Sequence, residues 1–368
     1  MVAPRYGARW IQSPPDTVTP RAITKSVRPL TKLDTMNINA TRKKCLSVSA
    51  LALLALLNVV ACGKENEASA TQEISWGGPK NISMLPIIAE QNGFFRKENL
   101  STKYNYLQTG KITLDAVVRG DIQFGVIVEA TVAFAGFQNI SGVRIIAVNQ
   151  EKRDDAIVAR KDRGVKTPAD LVGKRLGVTQ GTNSQMYAYR LLEANHIAPR
   201  SVEIVNLTPP AIVAALNNGE IDAGSVWQPF RYYLNQQLGD KATNLENNGI
   251  YRGYALIAVK ESWAREHPKA VENFIKALID AEGYSHQHQK ETIQALAKEI
   301  DLTPELLGKI WDEYSLSVSM PQTLADTIAQ EGRWIIGNVD GFVGKQLPNY
   351  AALIDNTPLA RIAKERVQ

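Results

Sequence analysis

From residue 73 onward the apolar positions alternate between a spacing of two and a spacing near 3.6, so strands and helices are expected in turn. "EISWGG" predicts a strand, and "NISMLPIIAEQNGFF" a helix that stops near Asn92-Gly93, where glycine suits the left-handed end. "STKYNYLQ" alternates as a strand, "KITLDAVVRGD" follows as a helix stopped at Gly120, and "IQFGVIV" is a continuous apolar strand. The same order returns as "KRLGVTQ", "TNSQMYAYRLLEANH", "SVEIVNL", "PAIVAALNNGE" and "IDAGSVW". Two βαβαβ runs predict an α/β protein with mainly parallel strands.

The two runs also match in detail. "RGDIQFG" and "NGEIDAG" lie 99 residues apart, and that offset lays Thr208 on Thr109, Ala215 on Ala116, Gly219 on Gly120, Ile221 on Ile122 and Gly224 on Gly125. Upstream, after a three-residue gap, Asn183 falls on Asn81 and Met186 on Met84. Each string reads as one junction, in which a glycine ends a helix, an acid occupies the turn and an isoleucine starts a buried strand. The turn role of Asp121 leaves little for an adhesion reading of "RGD".

Between the runs, "VRIIAVNQEKRDDAIVARKD" offers two strands, and "TPADLVGK" opens the second run with Thr167 as cap, Pro168 as first helical residue and Asp170 as reciprocal acid. "GYALIAVKE" is an apolar strand that returns the chain to the first lobe, and "SWAREHPKAVENFIKALIDAEGYSHQHQKETIQALAKEI" and the segment opened by Thr303-Pro304 are helical. The expected division is 74–155 with 255–368 as lobe 1 and 156–254 as lobe 2, joined by a two-strand hinge suited to closing on a ligand.

In open α/β sheets ligands bind beyond the carboxyl ends of strands, where helix N-termini present free amides. In the first lobe these ends are "GGPKN" with Gly78, Lys80 and Asn81, "QTGK" with Thr109 and Gly110, and "VEAT" with Glu129, Ala130 and Thr131. In the second they are "TQGTNS" with Gln180, Gly181, Thr182, Asn183 and Ser184, "LTPP", and "VWQPF" with Trp227 and Gln228. The "QGTNS" loop suits an anionic oxygen cluster, and equally an ordinary helix cap. Trp227 reads as a wall that desolvates a small ligand. A carboxylate facing an anion would repel it, so Glu129 calls for a ligand with a donor edge or for a cation such as Lys80 or Lys111 to hold it. His286 and His288 diverge on a helix and His196 and His267 lie near helix ends, so no metal site is expected.

The chain of 368 residues carries a formal charge of +5, but nine of its 42 Lys and Arg and two of its 37 acids precede Cys62, leaving a net −2 beyond. The basic excess therefore belongs to the leader, which argues against a nucleic-acid footprint on the folded part. "TRKK" and the apolar "CLSVSALALLALLNVVA" form an export signal over 36–61, and "VVAC" resembles a bacterial lipobox with Cys62 as the lipidated residue. Residues 62–73 read as a tether, and residues 1–35, disordered by composition, as an over-extended start before Met36. With Cys45 and Cys62 the only cysteines, no disulfide framework is expected.

Taken together, "IIAEQNGFFRKENL", "AVVRGDIQFGVI", "TPADLVGKRLGV", "AALNNGEIDAGSVWQPF" and "YRGYALIAVKESWAREHPKAVENFIKAL" resemble the binding proteins of nitrate/taurine/alkanesulfonate-type ABC transporters, a group that includes binders of thiamine-precursor pyrimidines. The resemblance implies a type II periplasmic binding fold: a monomer that takes no cofactor, captures a sulfonate, nitrate or related organic anion, and delivers it to an ABC permease and its ATPase. Carried over, the ligand loops fall on Gly78 to Asn81, Thr109-Gly110, Glu129 to Thr131, Gly181 to Ser184 and Trp227-Gln228. Many relatives have an acid after the tryptophan, where this chain has Gln228. A lipid anchor on the extracytoplasmic face of the membrane fits the same picture. The readings from other classes are a sensing lipoprotein without transport and a pyrimidine-synthase-like enzyme.

Overall fold

The computed structural model describes residues 71–368, apart from 247 and 340; the export signal, the lipobox with Cys62, the tether up to residue 70 and the two candidate starts lie outside the described residues, while Gln72 and Glu73, expected in the tether, already belong to the first strand. Eleven strands run in chain order: β1 Gln72–Gly78, β2 Leu100–Tyr106, β3 Phe124–Val128, β4 Val143–Lys152, β5 Ala156–Arg160, β6 Arg175–Val178, β7 Glu203–Asn206, β8 Ala223–Val226, β9 Ala242–Glu246, β10 Gly253–Lys260 and β11 Tyr314–Ser319. The α-helices among the described residues are α1 Met84–Gln91, α2 Phe94–Lys97, α3 Gly110–Arg119, α4 Glu129–Gly136, α5 Asn183–Ala194, α6 Pro209–Asn218, α7 Phe230–Leu238, α8 Glu261–Glu266, α9 Pro268–Gln287, α10 Gln289–Glu299, α11 Pro304–Lys309, α12 Leu324–Asn338 and α13 Thr357–Ile362.

The strands form two sheets, ordered β11-β4-β10-β3-β1-β2 and β7-β6-β8-β5-β9. Both βαβαβ runs pair in parallel, with the first strand between the other two. The strands that leave and re-enter each sheet, β10, β4 and β11 in one and β5 and β9 in the other, pair antiparallel. Parallel pairing is thus the property of the repeated runs, in which a helix follows each of the first two strands as the crossover that parallel neighbours require. The chain passes between the sheets through Arg153 to Asp155 and again between β9 and β10. Two mixed α/β sheets joined by two crossings are the arrangement expected of a type II periplasmic binding fold.

The repeated junctions take the conformation their glycines allow: Gly120 ends α3 at φ 86° and Gly219 ends α6 at φ 76°, each donating to two carbonyls of its helix. At "TPADL" Thr167 and Asp170 form the reciprocal cap, but on a short 3-10 turn. The long apolar stretch after β10 breaks at His267 and His288 into α8, α9 and α10. α9 lays Phe274 flat on Phe124 at 4.1 Å and against Phe95 at 5.0 Å, covering the first sheet. Two strands and five helices are not foreseen by the pattern of apolar positions: β9, β11, α2, α4, α7, α12 and α13. The strand ends "VEAT" and "VWQPF" run directly into α4 and α7.

Candidate functional site

The strand ends of both sheets carry their loops on caps made by their own side chains. Thr109 caps α3, accepting from Ile112 N at 3.3 Å. Thr182 caps α5, accepting from Ser184 N at 3.2 Å and donating to Thr179 O at 2.7 Å. Ser184 Oγ accepts from Thr179 N at 3.0 Å and donates to Ser225 O at 2.7 Å. In "QGTNS" the two hydroxyls therefore hold the loop itself, as the cap reading requires. Gly78 and Gly110 permit close approach: a methyl group at Gly78 would lie 2.9 Å from Ser83 Oγ, and one at Gly110 2.9 Å from Thr131 Oγ1.

Between the two sets of loops lies a cavity of about 250 Å³. From the first half it takes Lys111, Leu114, Thr131 and Phe134, and from the second Gln180, Gly181 and Gln185. Thr131 is 1% exposed and its hydroxyl has no hydrogen-bond partner, a cost that a ligand acceptor or donor would remove. Lys111 is half-exposed and pairs with Asp115 one turn along α3 at 3.3 Å, a solvent-screened pair that constrains the ammonium weakly. Gln185 accepts from Gly181 N at 2.9 Å, which fixes its amide at the cavity wall. Gly181 sits at φ 73°, and a methyl added there would be 3.6 Å from Lys111 Cδ, so the halves meet across this point. A mobile cation, an unpartnered hydroxyl and two amides beside Leu114 and Phe134 suit an anion carrying an apolar part.

A smaller recess of about 140 Å³ lies elsewhere along the same junction, lined by Lys80, Asn81, Tyr106 and Asp301 on one side and Trp227 and Tyr233 on the other. Lys80 binds Asp301 at 3.0 Å and sits 5.5 Å above the Tyr106 ring. Tyr233 Oη donates to Asp301 O at 3.1 Å. Trp227 is buried, edge-on to Phe230 at 6.1 Å.

A buried charged cluster sits where the chain first crosses between the sheets. Lys152 Nζ lies 2.5 Å from Asp154 Oδ1 and 2.5 Å from Asp155 Oδ2, and all three side chains are buried. Asp154 Oδ2 also accepts from Asn81 Nδ2 at 3.4 Å, Gln228 N at 3.3 Å and Tyr314 Oη at 3.0 Å, while Asp155 accepts from Asn183 Nδ2. Asn81, Asn183 and Gln228 thus converge on one carboxylate pair. Burial opposes the Lys152 charge, but the two aspartates outweigh it and raise its pKa; burial raises that of Asp155, against the pull of Lys152.

Glu129 differs from expectation in what holds it. Lys80 is taken by Asp301 and Lys111 by Asp115; Glu129, fully buried beside buried Ala130, accepts instead from Tyr251 Oη and from Tyr254 N at 2.6 Å. Burial pushes its carboxyl up to about 7, against these hydrogen bonds. Burial and the facing Glu129 carboxyl raise Glu331 well above the carboxylate range. Gln228 likewise turns its side chain home, accepting from Tyr232 N at 3.2 Å. Sequence reasoning missed Lys152, Asp154, Asp155 and Gln185. The signal for the first three was a "K-R-D-D" run inside an otherwise apolar pair of strands.

A family model described as "NMT1/THI5 like" matches residues 81–292. The taurine-binding periplasmic protein of Escherichia coli K12 is 31% identical over 198 residues, 53% of this chain. The chain spans only 61% of that relative's length. A putative aliphatic sulfonates-binding protein of Bacillus subtilis 168 is 24% identical over 273 residues, covering 73% of this chain and 82% of the relative. Among solved structures, the alkanesulfonate-binding protein SsuA from Xanthomonas axonopodis pv. citri, bound to MOPS, superposes with a TM-score of 0.68 at 18% identity, covering 78% of this chain and 99% of that one. The desulfurization enzyme DSZB superposes at 0.60 and 14% identity, covering 80% and 99%, so the fold serves catalysts as well as binders. With more than half of its length matched by the family model, the chain belongs to the NMT1/THI5-like family.

Proposed function

We propose that this chain is the solute-binding component of an ABC importer, exported and lipid-anchored through Cys62, that captures a small organic sulfonate between its two lobes and presents it to a permease. The observation that supports the reading most directly is the cavity of about 250 Å³ between the strand ends, with Lys111 and the unpartnered Thr131 hydroxyl beside Leu114 and Phe134. A sulfonate oxygen would accept from Lys111 and Thr131, and the carbon body would displace water from the apolar wall. Relatives named for taurine and aliphatic sulfonates, and a structural neighbour bound to the sulfonate buffer MOPS, point to the same headgroup. Asn81, Asn183 and Gln228, gathered on Asp154 and Asp155, would carry the closing motion into the hinge.

Calorimetric titration of the mature chain with alkanesulfonates, nitrate and short carboxylates tests this. One-site saturation by a sulfonate, without turnover, is expected. Thr131→Val keeps the side-chain volume and removes a hydroxyl that no protein group needs, so it should leave the unfolding midpoint unchanged or slightly raised while weakening sulfonate binding by about five- to thirtyfold, the equivalent of one to two kcal/mol. Unchanged affinity in Thr131→Val would move the site elsewhere. Saturation by none of these anions would refute the reading, and product release would favour an enzyme.

A further inference from the structure

We propose that the anion cavity is the head of a longer site, so that the preferred ligand is an organic anion with an extended apolar or aromatic body rather than a two-carbon zwitterion; this rests on the cleft reading above. The cavity adjoins a groove of about 500 Å³, and the two share Gln180, Gln185 and Val339 as lining. Beyond that shared wall the groove runs along Tyr189, Val202, Ile204 and Val343. Among the described residues that line it none is acidic, and Arg200 is basic, so an ammonium would enter it without a carboxylate partner. An alkyl chain or ring would bury against Val202, Ile204 and Val339 instead. Among the described residues that line the head cavity, the one carboxylate is that of Asp115, which is paired with Lys111.

Of the three shared residues, Gln180 and Gln185 lie inside the family match and Val339 lies beyond it. Val339 and Phe342 follow α12, whereas the family match ends at residue 292. Phe342, which lines the cavity, meets Phe134 edge-on at 6.0 Å and Phe137 at 5.1 Å. Ligand length is set by Val339 and Val343, which are specificity-determining, while Lys111 and Thr131 of the family core hold the headgroup.

The test is calorimetric titration of wild type, Val339→Trp and Val343→Asp with taurine and with ethane-, butane- and octanesulfonate. Each methylene buried should tighten wild-type binding about fourfold until the groove is filled. Val339→Trp, at the wall that cavity and groove share, should weaken octanesulfonate at least tenfold more than it weakens ethanesulfonate. Val343 is 69% exposed, so Val343→Asp, which puts an acid at the groove without disturbing the core, should weaken octanesulfonate selectively even if Val339→Trp does not fold. Taurine or ethanesulfonate binding as tightly as octanesulfonate to wild type would overturn the extension and leave the cleft reading standing. Equal weakening of short and long ligands by either folded variant, or no loss for octanesulfonate in Val343→Asp, would also overturn it. Binding of no sulfonate at all would overturn both.

Discussion

Two buried charged residues decide how this protein responds to mutation and to pH. Lys152 neutralises one of two carboxylates from which water is excluded. Lys152→Met leaves Asp154 and Asp155 facing each other in a medium that screens them poorly, and breaking a buried pair in this way costs about 3–5 kcal/mol. Urea unfolding at neutral pH should show that loss, and its recovery in Lys152→Met with both aspartates changed to Asn would assign it to the unpaired charge. Glu129 acts in the other direction. Its carboxyl titrates near 7 in the fold because burial disfavours the anion, with Tyr251, Tyr254, Glu331, Lys152 and Arg190 as the groups around the pair. The unfolded chain releases that proton near pH 4.3. Between these values the folded state binds more protons, so this group's contribution to stability is greatest in acid and declines as pH rises to about 7. Glu129→Gln should therefore gain on wild type across that window, by on the order of 1–3 kcal/mol at pH 8 relative to pH 4. Parallel denaturation curves at the two pH values would deny Glu129 this role.

At the scale of elements, most of what the chain builds was legible, because strand and helix periods differ and the same five-element run is written twice. The register makes the duplication physical: Gly77 pairs with Gly125 in the first sheet and Gly177 with Gly224 in the second. A methyl group at Gly125 would stand 2.6 Å from Val117 Cγ2, and one at Gly224 2.4 Å from Ile212 Cγ2. These glycines thus let α3 and α6 seat on their sheets. Gly224→Val drives two methyl groups into that seam, and overpacking of this kind costs about 1–3 kcal/mol; loss of thermal midpoint without a change in ligand stoichiometry is the outcome expected. The illegible elements share a cause. β9 is a mixed polar strand, ATNLE, that owes its pairing to β5, and β11 owes its own to β4. Strand pairing decided by a distant partner leaves little local trace. The site was half legible for the same reason. Strand ends follow from periodicity and name Thr131, Gln180, Gly181 and Trp227 as loop residues, but which of those loops would spend its side chains on caps, as Thr109, Thr182 and Ser184 do, is settled by neighbours far away in sequence.

On the scale of the molecule, the question is what holds the two sheets together across the cleft. Besides the two crossings, α12 makes a bridge: Trp334 donates from its indole to Glu193 Oε2 at 2.9 Å, meets Tyr189 edge-on at 5.4 Å and lies under Arg190 at 5.3 Å, all on α5 of the second half. The same helix packs on the first half, where Tyr350 fills the space beside Gly332 and Gly136 and donates to Ala133 O at 2.7 Å. Opening the cleft would have to part the Trp334 contacts or carry α12 away from α4. An aromatic, a cation and a carboxylate on one indole are worth on the order of 1–2 kcal/mol together once solvent screening of Arg190 and Glu193 is allowed for. That is enough to change the ratio of closed to open forms by about five- to thirtyfold. Trp334 is buried, so Trp334→Ala should cost the fold about 3–5 kcal/mol in denaturation, and the chain that remains folded without ligand should show an increased radius of gyration in small-angle scattering. Ligand affinity should fall by a similar factor through a faster off-rate, because the ligand must then supply the closing energy itself. A scattering profile identical to wild type, with unchanged dissociation kinetics, would show that α12 rides with one half and takes no part in closure.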